Sequence, residues 1–186
     1  MRITKEYLRK QNACKKSLKF GTEHDLLGME AVPLMERLIE LEEVDWALWL
    51  LVRVMSRKQC IQFACHCARN VLHIFEERFP GDERPRNTIE EAEKFGTPDF
   101  DEGKCKAAAD NADNATYDAY AYDAANAAAY AAAYADNATY AAAYADNATY
   151  DAAYDATYAA NASKCGKKVK LADLVRLGIK MLMEDK

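Results

Sequence analysis

Cysteine and histidine are the residue types in this chain best suited to bind a metal or attack a substrate, and several of them lie close together. The cluster contains Cys60, Cys65, His66, Cys67 and His73. It lacks the paired C-x-x-C spacing and the second ligand group that are typical of zinc sites. Nothing at a recognisable spacing supplies the orienting group or oxyanion hole that a cysteine nucleophile needs. We therefore predict structural thiols, with no metal, no cofactor and no catalytic residue.

Two tryptophans and an arginine form a second candidate site. Trp46, Trp49 and Arg53 follow one another at three- and four-residue steps, so on a helix they share one side. Core packing would explain the tryptophans, and a salt bridge would explain the arginine. The alternative is a platform on which a ligand stacks beside the guanidinium group.

A third candidate is the Arg-Pro-Arg segment. Two guanidinium groups at a helix entrance can grip a carboxylate or phosphate through paired hydrogen bonds. The alternative is internal pairing with acids such as Asp82 or Glu76. Outside the repeat described below, the predicted binding residues are Trp46, Trp49, Arg53, Asp82, Arg84 and Arg86. A pocket that combined the tryptophans with the arginines would suit a small anion or a nucleotide.

Apolar residues that recur every three or four positions predict helices to carry these side chains. Pro33 fits the first turn of one helix, Asp45 is placed to cap the next, and Ser56 can cap a third that ends before Pro80. We predict helices at about 4–10, 12–20, from 31, from 45, from 56, at 88–95 and at 169–183. The segment 82–87 and the segment 96–103 are predicted to be loops.

The middle of the chain has a biased composition. Between residues 107 and 162 half of the residues are alanine, ten are tyrosine and the only charges are eight aspartates. The ten residues 131–140 recur unchanged as 141–150. Disorder is one explanation, but the tyrosines add apolar area and alanine favours helix. We predict two or three helices, broken near Asp136 or near Asp110 and Asn111.

This Ala/Tyr/Asp region would present an acidic, aromatic surface that could capture a basic partner or imitate nucleic acid. We name Asp136, Asp146, Asp151 and Asp155 as its candidate binding residues. The acidic middle could instead pair with the basic ends of the chain. We divide the chain into a helical core at 1–103, the Ala/Tyr-rich repeat at 104–163 and a C-terminal amphipathic helix at 164–186, which together make one compact all-α unit.

Charge and hydropathy limit the partners. The 186 residues carry a formal net charge of −5, so direct binding to nucleic acid or to an anionic membrane is not expected of the whole molecule. Neither an export signal nor an apolar stretch of about 20 residues is present, which predicts a cytoplasmic protein. The oligomeric state is left open.

Three motifs resemble a known family. They are D-W-x-x-W-L beginning at Asp45, V-L-x-I-F-E beginning at Val71, and the R-P-R segment beginning at Arg84. Over residues of about 43–95 the chain is similar to the Imm-five-like immunity proteins, a bacterial toxin-immunity type with phage-borne relatives. Arginine occurs among the alanines of the family's tails and is missing from this one. That departure points to a different partner or binding face.

The resemblance implies a helical, non-enzymatic protein that neutralises a toxin by stoichiometric binding. Two alternatives remain open at this stage. One is a phage counter-defence inhibitor that uses its acidic aromatic surface against a defence effector. The other is a protein that binds a small anion or a nucleotide in a tryptophan-arginine pocket.

Overall fold

The computed structural model of the protein describes residues 1–121 and 170–184, which fold into eight α-helices. The helices are α1 (Lys5–Lys10), α2 (Lys15–Glu23), α3 (Ala31–Glu40), α4 (Val44–Val54), α5 (Arg57–Arg78), α6 (Arg84–Glu93), α7 (Glu102–Ala121) and α8 (Leu171–Glu184). No strand occurs in these two segments, where one isolated bridge pairs Arg2 with Glu30. The predicted all-α class is confirmed for the described residues.

The core is built around α4 and α5, against which α8 packs. Leu51 of α4 and Phe63 of α5 are fully buried, as is Val175 of α8. Gly178 allows α8 to approach closely, because a Cβ atom there would lie 2.4 Å from Cδ2 of Leu51 and 3.1 Å from Cε2 of Phe63. The apolar face of the C-terminal helix thus meets the core, as its periodicity predicts.

The second helix differs from the prediction at both ends. It begins at Lys15 and not near residue 12, because Asn12 adopts a left-handed conformation with φ of 57° and Cys14 is the N-cap. It also continues through Gly21 and Thr22, which we expected to belong to a turn. Gly21 is buried inside the helix, where its hydrogen atom faces the side chain of Leu27.

Helix capping was predicted correctly at α5 and wrongly at α4. Ser56 and Gln59 form a complete capping box at the start of α5, which satisfies two backbone donors. At α4 the N-cap is Glu43, and Asp45 lies inside the first turn. A carboxylate in that turn still interacts favourably with the helix dipole, so the residue suits either position.

Two predicted loops are partly helical. The Arg-Pro-Arg segment forms the first turn of α6, where the fixed backbone angle of Pro85 is favourable. The loop expected to reach Gly103 ends earlier, because α7 begins at Glu102. This helix also continues through Asp110 and Asn111, so the predicted break there is wrong. The alternative break near Asp136 lies outside the described residues.

Packing against α6 fixes the start of α7. Cys105 and Ala109 lie one turn apart on α7 and are buried. The hydroxyl oxygen of buried Thr88 lies 2.7 Å from the carbonyl oxygen of Arg84 and 2.9 Å from that of Ala108. The hydroxyl of Thr88 therefore links the two helices through a hydrogen bond to Ala108. The division of the chain into three regions stays a prediction.

Candidate functional site

Helices α1 and α2 cover one side of the pair formed by α3 and α4. Thr4 caps α1, its Oγ1 accepting a hydrogen bond of 3.1 Å from the backbone of Tyr7. The left-handed Asn12 reverses the chain, and the sulfur of Cys14 then accepts a hydrogen bond from the backbone of Ser17 at the start of α2. Both helices are short, so they depend on the apolar side chains that face α3 and α4.

A cavity of about 220 Å³ lies between these four helices. Six leucines and three aromatic side chains make most of its wall, and Gly21 completes the apolar part. Its polar lining comes from Asn12, Cys14 and Ser17. Because Asn12 and Cys14 are exposed, whereas Leu34 and Leu38 are buried, the cavity has a polar mouth at the α1–α2 turn and an apolar floor on α3.

Both tryptophans of the chain line this cavity, and each has a cation near its ring. Trp46 meets Phe20 edge to face at 5.0 Å between ring centroids, and Nζ of Lys16 lies 5.4 Å from its ring. The guanidinium carbon of Arg53 lies 3.9 Å from the ring centroid of Trp49. Such cation–π contacts each contribute about 0.5–2 kcal/mol, depending on how much water is excluded.

Arg53 is held by α4 itself and does not form the predicted salt bridge with any described residue. Its Nη1 donates a hydrogen bond of 2.9 Å to the carbonyl oxygen of Trp49. Partial burial lowers the pKa of Arg53, but an arginine side chain keeps its charge in proteins. Burial also raises the pKa of nearby Tyr7, against the opposing effect of the Arg53 charge. The guanidinium group is therefore a fixed cation that covers one indole.

The Arg-Pro-Arg segment lies elsewhere, at the start of α6, and both arginines are paired internally. Arg84 binds the carboxylate of Asp82 through Nε and Nη2, at 3.0 and 2.7 Å. These hydrogen bonds lower the pKa of Asp82. Arg86 pairs with Glu76 of α5 at 2.5 Å. The internal alternative therefore describes these side chains, and neither arginine lines the cavity.

The structure thus separates the residues that we grouped from the sequence. Trp46 and Trp49 share the cavity, Arg53 stands beside it, and Arg84 and Arg86 lie on another helix. The four candidate aspartates at 136, 146, 151 and 155 lie outside the described residues. The cavity therefore does not combine the tryptophans with Arg84 and Arg86.

The cysteine cluster is part of the core. Cys60, Cys65 and Cys67 are buried among apolar side chains, and no group of metal ligands occurs in the described segments. Burial raises the pKa of Cys105 to about 11, so that thiol stays protonated. Cys14 is different, because it is exposed and its hydrogen bonds with the side chain and backbone of Ser17 lower its pKa.

Sequence reasoning missed the cavity and the role of Lys16. The available signal was the basic character of the first two helices, which carry six exposed cations: Lys5, Arg9, Lys10, Lys15, Lys16 and Lys19. Two of them pair with acids on their own helices, Lys10 with Glu6 and Lys19 with Glu23, both at 3.5 Å. The six cations outnumber these two acids, so helices α1 and α2 carry a net positive charge.

None of the described helices is both long enough and apolar enough to cross a bilayer. Comparison with curated proteins gave no match, and comparison with solved structures gave none either. One family model, described as Imm-5 like putative immunity protein, matches residues 50–172. Residues 1–49 precede the matched stretch and supply the whole cavity lining except Leu50. Because the match spans well over half of the 186 residues, the chain belongs to the Imm-5 like putative immunity protein family.

Proposed function

We propose that this protein neutralises a partner protein by stoichiometric binding, without catalysis, and that its binding face is formed by α1, α2 and the first turns of α4. The cavity is the observation that supports this proposal most. It has an apolar lining, each of its two tryptophan rings lies next to a cation, and the neighbouring helices α1 and α2 carry exposed lysines. Buried apolar pockets flanked by aromatic and cationic residues are the usual sites of strong contacts in protein interfaces. Membership of the Imm-5 like family supports the role of an immunity protein.

The chemistry of the lining supports binding over catalysis. Cys14 and Ser17 are potential nucleophiles at the mouth, but the described lining contains no histidine, aspartate or glutamate that could act as their base. Asp82, Arg84 and Arg86 satisfy one another or Glu76, so they are weaker candidates for an external ligand. The remaining wall is apolar and suits exclusion of water more than proton transfer.

A bacterial toxin is the partner that fits an immunity protein, and a defence effector is the alternative for a phage-encoded relative. The repeat aspartates 136, 146, 151 and 155 are a second candidate contact, because an acidic and tyrosine-rich segment suits a basic partner. Both alternatives involve stoichiometric binding to a protein. They differ in the identity of the captured protein and in the face that captures it.

The test is capture of the partner by tagged full-length protein from a lysate of the encoding organism, after removal of nucleic acid. Two variants are run in parallel: Lys15, Lys16 and Lys19 changed to Gln, and the four repeat aspartates changed to Asn. We expect one partner at a fixed stoichiometry, whose toxicity is suppressed on co-expression, and its loss from the lysine variant. Loss from the Asn variant alone would assign binding to the repeat. Absence of any stoichiometric partner would refute the proposal.

A further inference from the structure

The α1–α4 cavity is large enough for one side chain and small enough to exclude a folded element. Its volume is about 220 Å³. An apolar protein cavity of about 150 Å³ stays dry and takes up benzene, so a somewhat larger one accommodates a phenyl or indole group. Six leucines and three aromatic residues in the wall match such a group in polarity. The cavity therefore suits a single bulky apolar side chain.

The position of the mouth determines how that side chain would enter. Exposed Asn12 and Cys14 and half-buried Ser17 lie at the turn between α1 and α2, whereas Leu34, Leu38 and Leu50 close the opposite side. An incoming side chain must pass the polar turn to reach the leucines. Its backbone would then lie across the start of α2.

The charges around that turn favour an acidic segment. Residues 1–24 contain seven Lys and Arg and two Glu, in a chain whose net charge is −5. Lys15 and Lys16 follow Cys14 directly and are exposed, and Lys16 also reaches the ring of Trp46. Carboxylates on either side of the buried side chain would meet these ammonium groups, while a basic segment would be repelled.

We infer that the cavity binds one phenylalanine-like or tryptophan-like side chain presented by an acidic segment of the partner protein. This inference rests on the proposed function and names the chemistry of its partner. Full burial of such a side chain corresponds to about a ten- to hundredfold gain in affinity. The carboxylates that flank this side chain mainly make the cavity selective for acidic over basic segments, and they make the affinity depend on salt concentration.

The two tryptophans provide the assay. Since the chain contains two tryptophans and both line the cavity, tryptophan fluorescence, excited beyond the absorption of the eleven tyrosines, reports on that site if the probe contains no tryptophan. The probes are four blocked twelve-residue peptides titrated into the full-length protein. The first has a central Phe flanked by Glu; the second has Ala in place of the Phe; the third and fourth keep the Phe and replace Glu by Gln or by Lys.

Variants separate the cavity from the rest of the face. Leu27→Phe enlarges a half-buried side chain of the wall, and Leu41→Phe makes the same change at a half-buried leucine of α3–α4 outside the lining. Ser17→Leu narrows the mouth of the cavity. It replaces Leu27→Phe as the test variant if Leu27→Phe lowers the thermal midpoint. Folding of each variant is checked by circular dichroism.

The expected result is saturable binding of the Phe/Glu peptide, at least tenfold weaker binding of the Ala/Glu peptide, and weaker binding of the Gln and Lys peptides. Leu27→Phe should abolish the fluorescence change, while Leu41→Phe retains it. Equal affinity for the Phe and Ala peptides, retained binding in folded Leu27→Phe and Ser17→Leu, or no saturable change with any peptide would overturn the inference. Binding of phenylacetate as tight as that of the peptide would also overturn it, in favour of a small-molecule site.

The two proposals fail in different ways. If the natural partner is captured equally well by the wild type and by Leu27→Phe, the cavity inference is wrong and the proposed function stands. If the acidic Phe peptide binds in the cavity but the lysate yields no partner protein, the proposed function is wrong and the cavity chemistry stands.

Discussion

Replacement of Gly178 by alanine tests how closely α8 packs on the core. At an open helix position this change should stabilise the protein, because alanine exceeds glycine in helix propensity by about 1 kcal/mol. Here the new methyl group would lie 2.4 Å from Leu51 Cδ2 and also close to Phe63 and Met55, in a region without solvent access. Overpacking of a dense core costs about 1–3 kcal/mol.

The overpacking cost exceeds the propensity gain, so we expect a net loss of about 1 kcal/mol in the free energy of unfolding. For a chain of this size that corresponds to a fall of about 2–4 °C in the thermal midpoint. Urea denaturation followed by circular dichroism at 222 nm would measure the change. The matched control is Gly103→Ala, since Gly103 is exposed on α7 and a Cβ there meets only the carboxylate of Asp101. The control should be neutral or stabilising.

A double-mutant cycle makes this prediction sharper. Leu51→Ala alone should cost about 2–5 kcal/mol, because it leaves a cavity in the core. In that background the closest contact of the new methyl group, with Cδ2 of Leu51, is gone and only the contacts with Phe63 and Met55 remain, so Gly178→Ala should destabilise less than it does in the wild type. If Gly178→Ala stabilises the wild type as much as Gly103→Ala does, the close approach of α8 to α4 is refuted.

Three further predictions concern other contacts. Thr88→Val keeps the shape of a buried side chain but removes the hydroxyl that links α6 to α7, so the free energy of unfolding should fall by about 1 kcal/mol, measured in urea. The pKa of Asp82 is lowered in the folded state by Arg84, so its contribution is present above about pH 4 and is lost as the pH falls through the folded pKa. Asp82→Asn should therefore destabilise the protein at pH 7, and the difference from the wild type should shrink as the pH falls through the lowered folded pKa of Asp82, as thermal midpoints would show. Cys14 should react with iodoacetamide at neutral pH well before Cys105, because it is exposed and its pKa is lowered, whereas burial raises that of Cys105 to about 11.

Each of these has a control and a contrary outcome. Thr88→Ser retains the hydroxyl and should recover most of the stability, so equal loss in both variants would argue against the hydrogen bond. A constant difference between Asp82→Asn and wild type from pH 7 to pH 2 would contradict the linkage argument. Peptide mapping in a Cys165→Ser background identifies the first thiol alkylated, and early labelling of Cys105 would show that α7 opens.

Local signals in the sequence predicted much of the fold. The three- and four-residue apolar spacing was enough to identify α3, α4 and α5, and Ser56 marked the start of α5 because its capping box involves only neighbouring residues. Asp45 was misleading, since aspartate is favourable both as an N-cap and in the first turn of a helix. In the structure α4 begins at Val44 with Glu43 as its N-cap, which places Asp45 in the first turn. Arg84 was assigned to a loop for a similar reason, because Pro85 suits both a loop and a first turn.

The candidate site was only partly predictable. The sequence placed Trp46 and Trp49 on one side of a helix, and the structure places both in one cavity. It could not place Leu8 and Leu38 in the lining of the same cavity, because 30 positions separate them and their distance depends on how α1 and α2 pack. Ion pairs were equally hidden, since the choice of Glu76 as the partner of Arg86 depends on the relative position of α5 and α6.

The attachment of α7 to α6 has a consequence for the Ala-rich segment that begins on this helix. Cys105 and Ala109 fix one stripe of α7 against α6, and each further residue turns a helix by about 100°. The angular position of every later residue about the axis of α7, up to Ala121, therefore depends on how many residues separate it from that stripe. Inserting a single alanine after Asp110 would leave the composition almost unchanged but would rotate the following backbone positions of α7 about the helix axis by more than a quarter of a turn. The number of residues between Ala109 and a later position of α7, and not only the composition of the segment, therefore determines the direction of that position relative to the core.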